Sequence, residues 1–203
     1  MNVEEIDLCE IPCKKSEGFI DFERLNELSK NKSLDTVLVI FTDIYGRFMG
    51  KRIAINFFLD SIVNTGTHIC NYLFSSDINM TPSENYEAFG WQSGYGDFLI
   101  KPDLSTLRIV KWLNKTAMVI CDVYNSNGKA LLSISPRNLL KEQVQKLGEL
   151  GFIAKSASEI EYYLFNTSEK LSELNVDHIR NYLSAPHGED YHILQTSRDE
   201  AFT

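Results

Sequence analysis

The chain has 203 residues, 43% of them hydrophobic, with a formal net charge of -8 and a pI near 5.0, which allows a core but excludes a sequence-independent nucleic-acid binder needing clustered Lys and Arg. The apolar runs 36–41 and 117–121 fall far short of the roughly 20 residues that span a bilayer, and the first ten residues carry acids where an export signal carries a basic and then an apolar stretch. The reading is a cytoplasmic protein with no membrane anchor.

Phe22, Leu25 and Leu28 stand at helical spacing behind Asp21, which predicts a short amphipathic helix starting at Asp21. Residues 36–43 and 48–55 are β-rich and flank Ile44-Tyr45-Gly46-Arg47, the pattern of a hairpin. A short helix over 56–64 and a strand over 68–74 follow, and this mixed order predicts an α+β domain. Residues 75–96 hold Ser, Asn, Pro, Gly and aromatics without a period and read as a long loop.

Strands are expected over 97–100, 106–112 and 116–124, ending in the turn cluster Asn125-Ser126-Asn127-Gly128. Ser135-Pro136 reads as a helix start with a capping side chain, Leu139, Leu140, Val144, Leu147 and Leu150 share one face, and Gly151 stops the helix. Residues 152–165 are β-rich again. The expected organisation is a helical segment over 1–32, one domain over 33–133 and the start of a second over 135–203. Thr196 and Ser197, each followed three residues later by an acid, begin a helix-opening pattern near the last residue, Thr203, so the reading expects a truncated second domain.

Four cysteines at 9, 13, 70 and 121 form no CxxC pair and have no His at zinc-ligand spacing, so Cys70 and Cys121 read as core residues. His187 and His192 bracket Gly188-Glu189-Asp190 but have no period that would converge them, and they read as loop residues. Arg47, Lys51 and Arg52 read as a solvated hairpin edge.

The chemistry-bearing run is Glu159-Ile160-Glu161-Tyr162-Tyr163-Leu164-Phe165. In a strand Glu159 and Glu161 would point to one face with Cβ atoms roughly 6 to 7 Å apart. Adjacent carboxylates repel and resist desolvation, and a divalent cation relieves both costs. Taken alone, the pair also suits an edge strand with one solvated face.

The run is similar to the E-x-E-F-x-L-F signature of class I glutamine synthetases, and three segments agree in order. These are Thr42-Asp43 with Gly46 and Gly50-Lys51-Arg52; Asp97-Phe98-Leu99-Ile100-Lys101-Pro102-Asp103 with Ser105-Thr106; and 117–122 with Ser135-Pro136-Arg137. The resemblance covers about 34–165 and implies a β-grasp N-terminal domain followed by the start of a glutamine synthetase-type catalytic α+β domain. It further implies ATP-dependent condensation of glutamate with ammonia, or another amine, through γ-glutamyl phosphate.

It also implies Mg²⁺ or Mn²⁺ held by Glu159 and Glu161, and a homo-oligomer in which one chain's β-grasp domain closes the next chain's site. An acid of that domain, for which Asp77 and Asp97 are candidates, would assist deprotonation of the ammonium. The alternatives are a non-enzymatic, lengsin-like member of the family and a stand-alone β-grasp binding module.

Overall fold

The computed structural model describes residues 18–83 and 94–161. The chain divides into two compact units, Met1–Ala154 and Lys155–Thr203. In the first, α1 (Phe22–Lys30) is capped by Asp21, whose side chain accepts from Arg24 N at 2.8 Å. Leu25 and Leu28 are buried, as their spacing predicts.

The predicted hairpin forms as β1 (Thr36–Thr42) and β2 (Phe48–Ala54), antiparallel from Thr36 opposite Ala54 to Thr42 opposite Phe48. Gly50 is fixed by this pairing: its φ is 151°, and a Cβ there would stand 2.0 Å from the Val39 carbonyl oxygen. The chain then coils through α2 (Ile55–Phe57), a π turn (Phe58–Ile62) and α3 (Val63–Thr65), which bury Ile55, Phe58 and Ile62. β3 (Thr67–Cys70) is shorter than expected, since residues Asn71–Phe74 wind into a 3₁₀ turn.

β4 (Asp97–Pro102) and β6 (Thr116–Tyr124) form as read, with a 3₁₀ turn over Leu104–Thr106 between them. The strand expected over 106–112 reduces to β5 (Arg108–Ile109). Its start is taken by Thr106, whose hydroxyl donates to the Asp103 carbonyl at 2.7 Å and accepts from Ile120 N at 2.8 Å. Its end turns back where Leu113 N donates to the Val110 carbonyl.

The strands make one mixed sheet in the order β2-β1-β6-β4-β3, with β5 also on β6 and with β1 and β6 parallel. Alternation along the central strands gives the sheet two apolar faces. Val37, Val39, Phe41, Ala117, Val119 and Cys121 enter the main core with the helices. Leu38, Ile40, Met118 and Ile120 pack on the other side with Val110 and Leu113. The Phe74 ring packs tilted against Phe41 at 5.2 Å and edge-on against Phe98 at 5.5 Å within the main core.

α4 (Pro136–Glu149) begins at Ser135-Pro136 and stops where Gly151 takes φ 80°. Two features depart from the sequence reading. The Ser135 side chain makes no capping bond. Instead, Asn138 Nδ2 donates to the carbonyls of Val123 and Leu132 at 2.7 and 3.0 Å and so ties the first turn to the sheet. Beyond that turn Leu139, Leu140 and Val144 stay exposed, because Asn138 is the helix's one buried residue.

The strand expected over 152–165 is not present in its described portion: residues 152–161 have no regular structure and are exposed. A strand needs a partner for its N–H and C=O groups and a surface for its apolar side, and none of the assigned strand pairs includes these residues. The end of that run and the helix-opening pattern at 196–200 lie outside the described residues.

Candidate functional site

Three polar clusters carry the charged residues singled out by the sequence. In the first, the turn between β1 and β2 folds around Asp43, which is fully buried. Its Oδ1 accepts from Tyr45 N at 2.9 Å and Arg47 N at 2.8 Å, and its Oδ2 accepts from Arg47 Nε at 2.7 Å. The guanidinium thus held reaches across to a second turn, where Nη1 donates to the Ile78 carbonyl at 2.7 Å and Nη2 to the Asp77 carbonyl at 3.2 Å. Arg47 is therefore an internal tie, which corrects the reading of a solvated edge for this residue. Lys51 and Arg52 are exposed, as read.

That second turn presents Asp77. Its Oδ1 accepts from Asn79 N at 2.9 Å and Thr81 N at 2.8 Å, while its backbone N donates to the Thr81 carbonyl at 2.8 Å. Asp97, the other candidate acid, is exposed at the start of β4 opposite Cys70.

The second cluster joins α4 to the sheet. Arg137 donates from Nε to Asp122 Oδ1 at 2.9 Å and from Nη2 to Asp103 Oδ2, and Lys141 reaches Asp122 Oδ2 at 2.6 Å. Asp103 also accepts from Ser105 N at 3.1 Å and Ser105 Oγ at 2.6 Å. Burial by itself would raise the Asp103 pKa, but the two Ser105 bonds and the charges of Arg137 and Lys141 outweigh it and hold the carboxyl below its ordinary 3.8. Burial pushes the neighbouring Cys121 thiol far above its usual range, with the Asp122 charge adding to the effect, so this cysteine is an inert core residue. Cys70 is only partly buried.

The third group is Glu159 and Glu161. Both are exposed, in the described part of the second unit. They are hard oxygen donors free to face a cation, which fits Mg²⁺ or Mn²⁺ in kind. In number they do not complete a site, since no group of three or more His, Cys, Asp or Glu suited to a metal occurs among the described residues. His187 and His192 lie outside the described residues. No helix among the described residues is long and apolar enough to cross a membrane.

Sequence comparison places the chain in a family. Over 179 residues the chain is 35% identical to gamma-glutamylethanolamide synthetase GlnA4 of Streptomyces coelicolor, covering 88% of this chain and 38% of the relative. It is 37% identical over 158 residues to glutamate–isopropylamine ligase of a Pseudomonas species, covering 78% of this chain and 34% of the relative. Type-1 glutamine synthetase 2 of Dictyostelium discoideum matches at 29% over 179 residues, or 88% of this chain and 33% of the relative.

The chain belongs to the glutamine synthetase family. It spans between a third and two-fifths of the length of these relatives. No protein-family model matches it.

Proposed function

We propose that the chain is the N-terminal part of an ATP-dependent ligase that condenses glutamate with ammonia or another amine through γ-glutamyl phosphate. The observation that carries this reading is the 35% and 37% identity to two ligases named for ethanolamide and isopropylamine products or substrates. That identity favours an amine other than ammonia as the acceptor. It also favours an enzyme over a lengsin-like structural member, as do the two adjacent carboxylates, which a purely structural descendant has no need to keep.

In this reading 33–133 is a β-grasp-type domain and 135–203 opens the catalytic domain. The mixed sheet with its parallel β1 and β6 supports the first assignment. Glu159 and Glu161 each hold a divalent ion, with the remaining ligands supplied from outside the described residues. Divalent ions there would screen the anionic γ-phosphate from the anionic acceptor.

The chemistry is a pair of displacements. The glutamate γ-carboxylate oxygen attacks the γ-phosphorus and ADP leaves; the amine nitrogen then attacks the acyl carbon and phosphate leaves. The amine reaches this point as an ammonium and must surrender a proton first. Asp77 suits that task better than Asp97, because its turn fixes one carboxylate oxygen and leaves the other without a hydrogen bond among the described residues. In the resemblance this acid serves the neighbouring subunit of a homo-oligomer.

The test is Glu159→Gln with Glu161→Gln in a form spanning the relatives' full length. Metal-dependent, amine-dependent ADP formation should disappear, and turnover equal to wild type overturns the assignment. The 203-residue chain alone should give background turnover with ATP, glutamate and amine, since it spans only a third to two-fifths of these relatives' length and its two glutamates do not complete a metal site among the described residues.

A further inference from the structure

We propose that Arg47, locked in place by Asp43, is a positioning residue that holds the turn over residues 75–83 and thereby sets the attitude of the Asp77 carboxylate toward the amine. The inference rests on the reading of Asp77 given above. It starts from a geometry that charge alone does not require.

The Arg47 fork is used in three directions, toward the Asp43 carboxylate and toward two successive carbonyls, those of Asp77 and Ile78. Only a planar guanidinium meets an acid on one side and a turn on the other in this way, whereas a lysine ammonium on a flexible stem cannot span them. Asp43 is fully buried, so it cannot swing away, and Tyr45 lies under the guanidinium with its ring centre 5.0 Å from Cζ.

The turn at the other end needs such a hold. Met80 sits at φ 67°, a left-handed conformation that costs a non-glycine residue on the order of 1 kcal/mol. The turn is also closed on itself by Met80 N to the Asp77 carbonyl at 3.0 Å and Ser83 N to the Ser75 carbonyl at 2.7 Å. Arg47 therefore acts on the two carbonyls at the corner from which the Asp77 side chain projects. Displacing a catalytic group by about 1 Å can cost roughly 100-fold in rate, so a clamp one residue removed from the acid has leverage on it.

The experiment has two arms. In the 203-residue chain, amide exchange at Asn79, Met80 and Thr81 is compared for wild type, Arg47→Gln and Arg47→Lys, with Val39 and Val119 as sheet references. We expect Arg47→Gln to speed the turn amides at least about 10-fold relative to the sheet amides, with Arg47→Lys between the two. Turn amides that do not respond, or that speed up only in step with Val39 and Val119, overturn the clamp.

In a form spanning the relatives' length, steady-state kinetics with ammonium, ethanolamine and isopropylamine should show kcat and kcat/KM for the amine lowered together by about 10-fold in Arg47→Gln, with KM changed less and partial recovery in Arg47→Lys. An unmoved kcat, or a rise in KM with kcat unchanged, overturns the positioning role. Wild-type protein without amine-dependent turnover instead sinks the ligase reading, and the exchange arm then still decides whether the clamp exists.

Discussion

Asp43 and the pair Glu159 and Glu161 are carboxylates in opposite circumstances. Asp43 is fully buried and accepts three hydrogen bonds from its own turn, one of them from a guanidinium. Glu159 and Glu161 are exposed in a stretch with no regular structure. The first carboxylate has its counter-charge four positions along the same turn, so its effect is spent within the protein. The other two have nothing of the kind among the described residues, so their effect is available to a ligand. Where a carboxylate's partner comes from decides whether it is architecture or chemistry.

The largest expected effect comes from breaking the buried side of that comparison. Asp43→Ala leaves the Arg47 charge and two backbone N–H groups without their acceptor, and it should lower unfolding free energy by about 3 kcal/mol in a urea titration. A loss under about 1 kcal/mol would show that water replaces the carboxylate there and that burial is not what distinguishes it.

Asp103 lies between the extremes and should give a smaller, pH-dependent effect. Its folded pKa is depressed, so the stability it contributes is complete above the unfolded value near 3.8 and is lost as pH falls through the lower folded value. The chain should therefore weaken below about pH 5, with most of the Asp103 share lost under pH 4, and Asp103→Asn should flatten that acid limb. An identical acid limb in the variant would assign the loss to other carboxylates.

The smallest effect on folding is expected at the exposed pair. Glu159→Gln with Glu161→Gln in the 203-residue chain should leave the unfolding free energy from a urea titration within about 0.5 kcal/mol of wild type. A loss of 2 kcal/mol or more would mean that these residues hold the fold together, and the contrast with Asp43 would vanish.

Much of the sheet is legible in the sequence because 36–42 and 116–124 are short, near-continuous runs rich in β-branched and apolar residues, as strands covered on both faces are, and Asp21 and Gly151 mark helix ends by ordinary capping and left-handed geometry. The joint at α4 is legible only as a motif. Asp97 to Thr106, the Cys121-Asp122 pair and Ser135-Pro136-Arg137 are quoted above as family signatures, yet nothing local says that Asp103, Asp122 and Arg137 converge. That convergence is a tertiary event between residues more than ten positions apart.

Arg47 reads as solvated in the sequence for the same reason, since its acceptors at 77 and 78 lie about thirty positions away. The Asp-x-x-x-Arg spacing across a hairpin turn is the signal that could have found the near half of the clamp. The apolar side of 152–161 misled in the opposite sense. Composition suited to a strand is not a strand without a neighbour to pair with.

The parallel pairing of β1 with β6 carries a consequence for how the protein is made. Thr36 faces Thr116, so the central pair of the sheet cannot form until the chain has been synthesised well past residue 116. At about 5–20 residues per second, the hairpin of β1 and β2 waits several seconds on the ribosome with Val37, Val39 and Phe41 uncovered on one side and Leu38 and Ile40 on the other. For that interval it is a two-sided sticky ribbon, the stretch of the growing chain most open to aggregation.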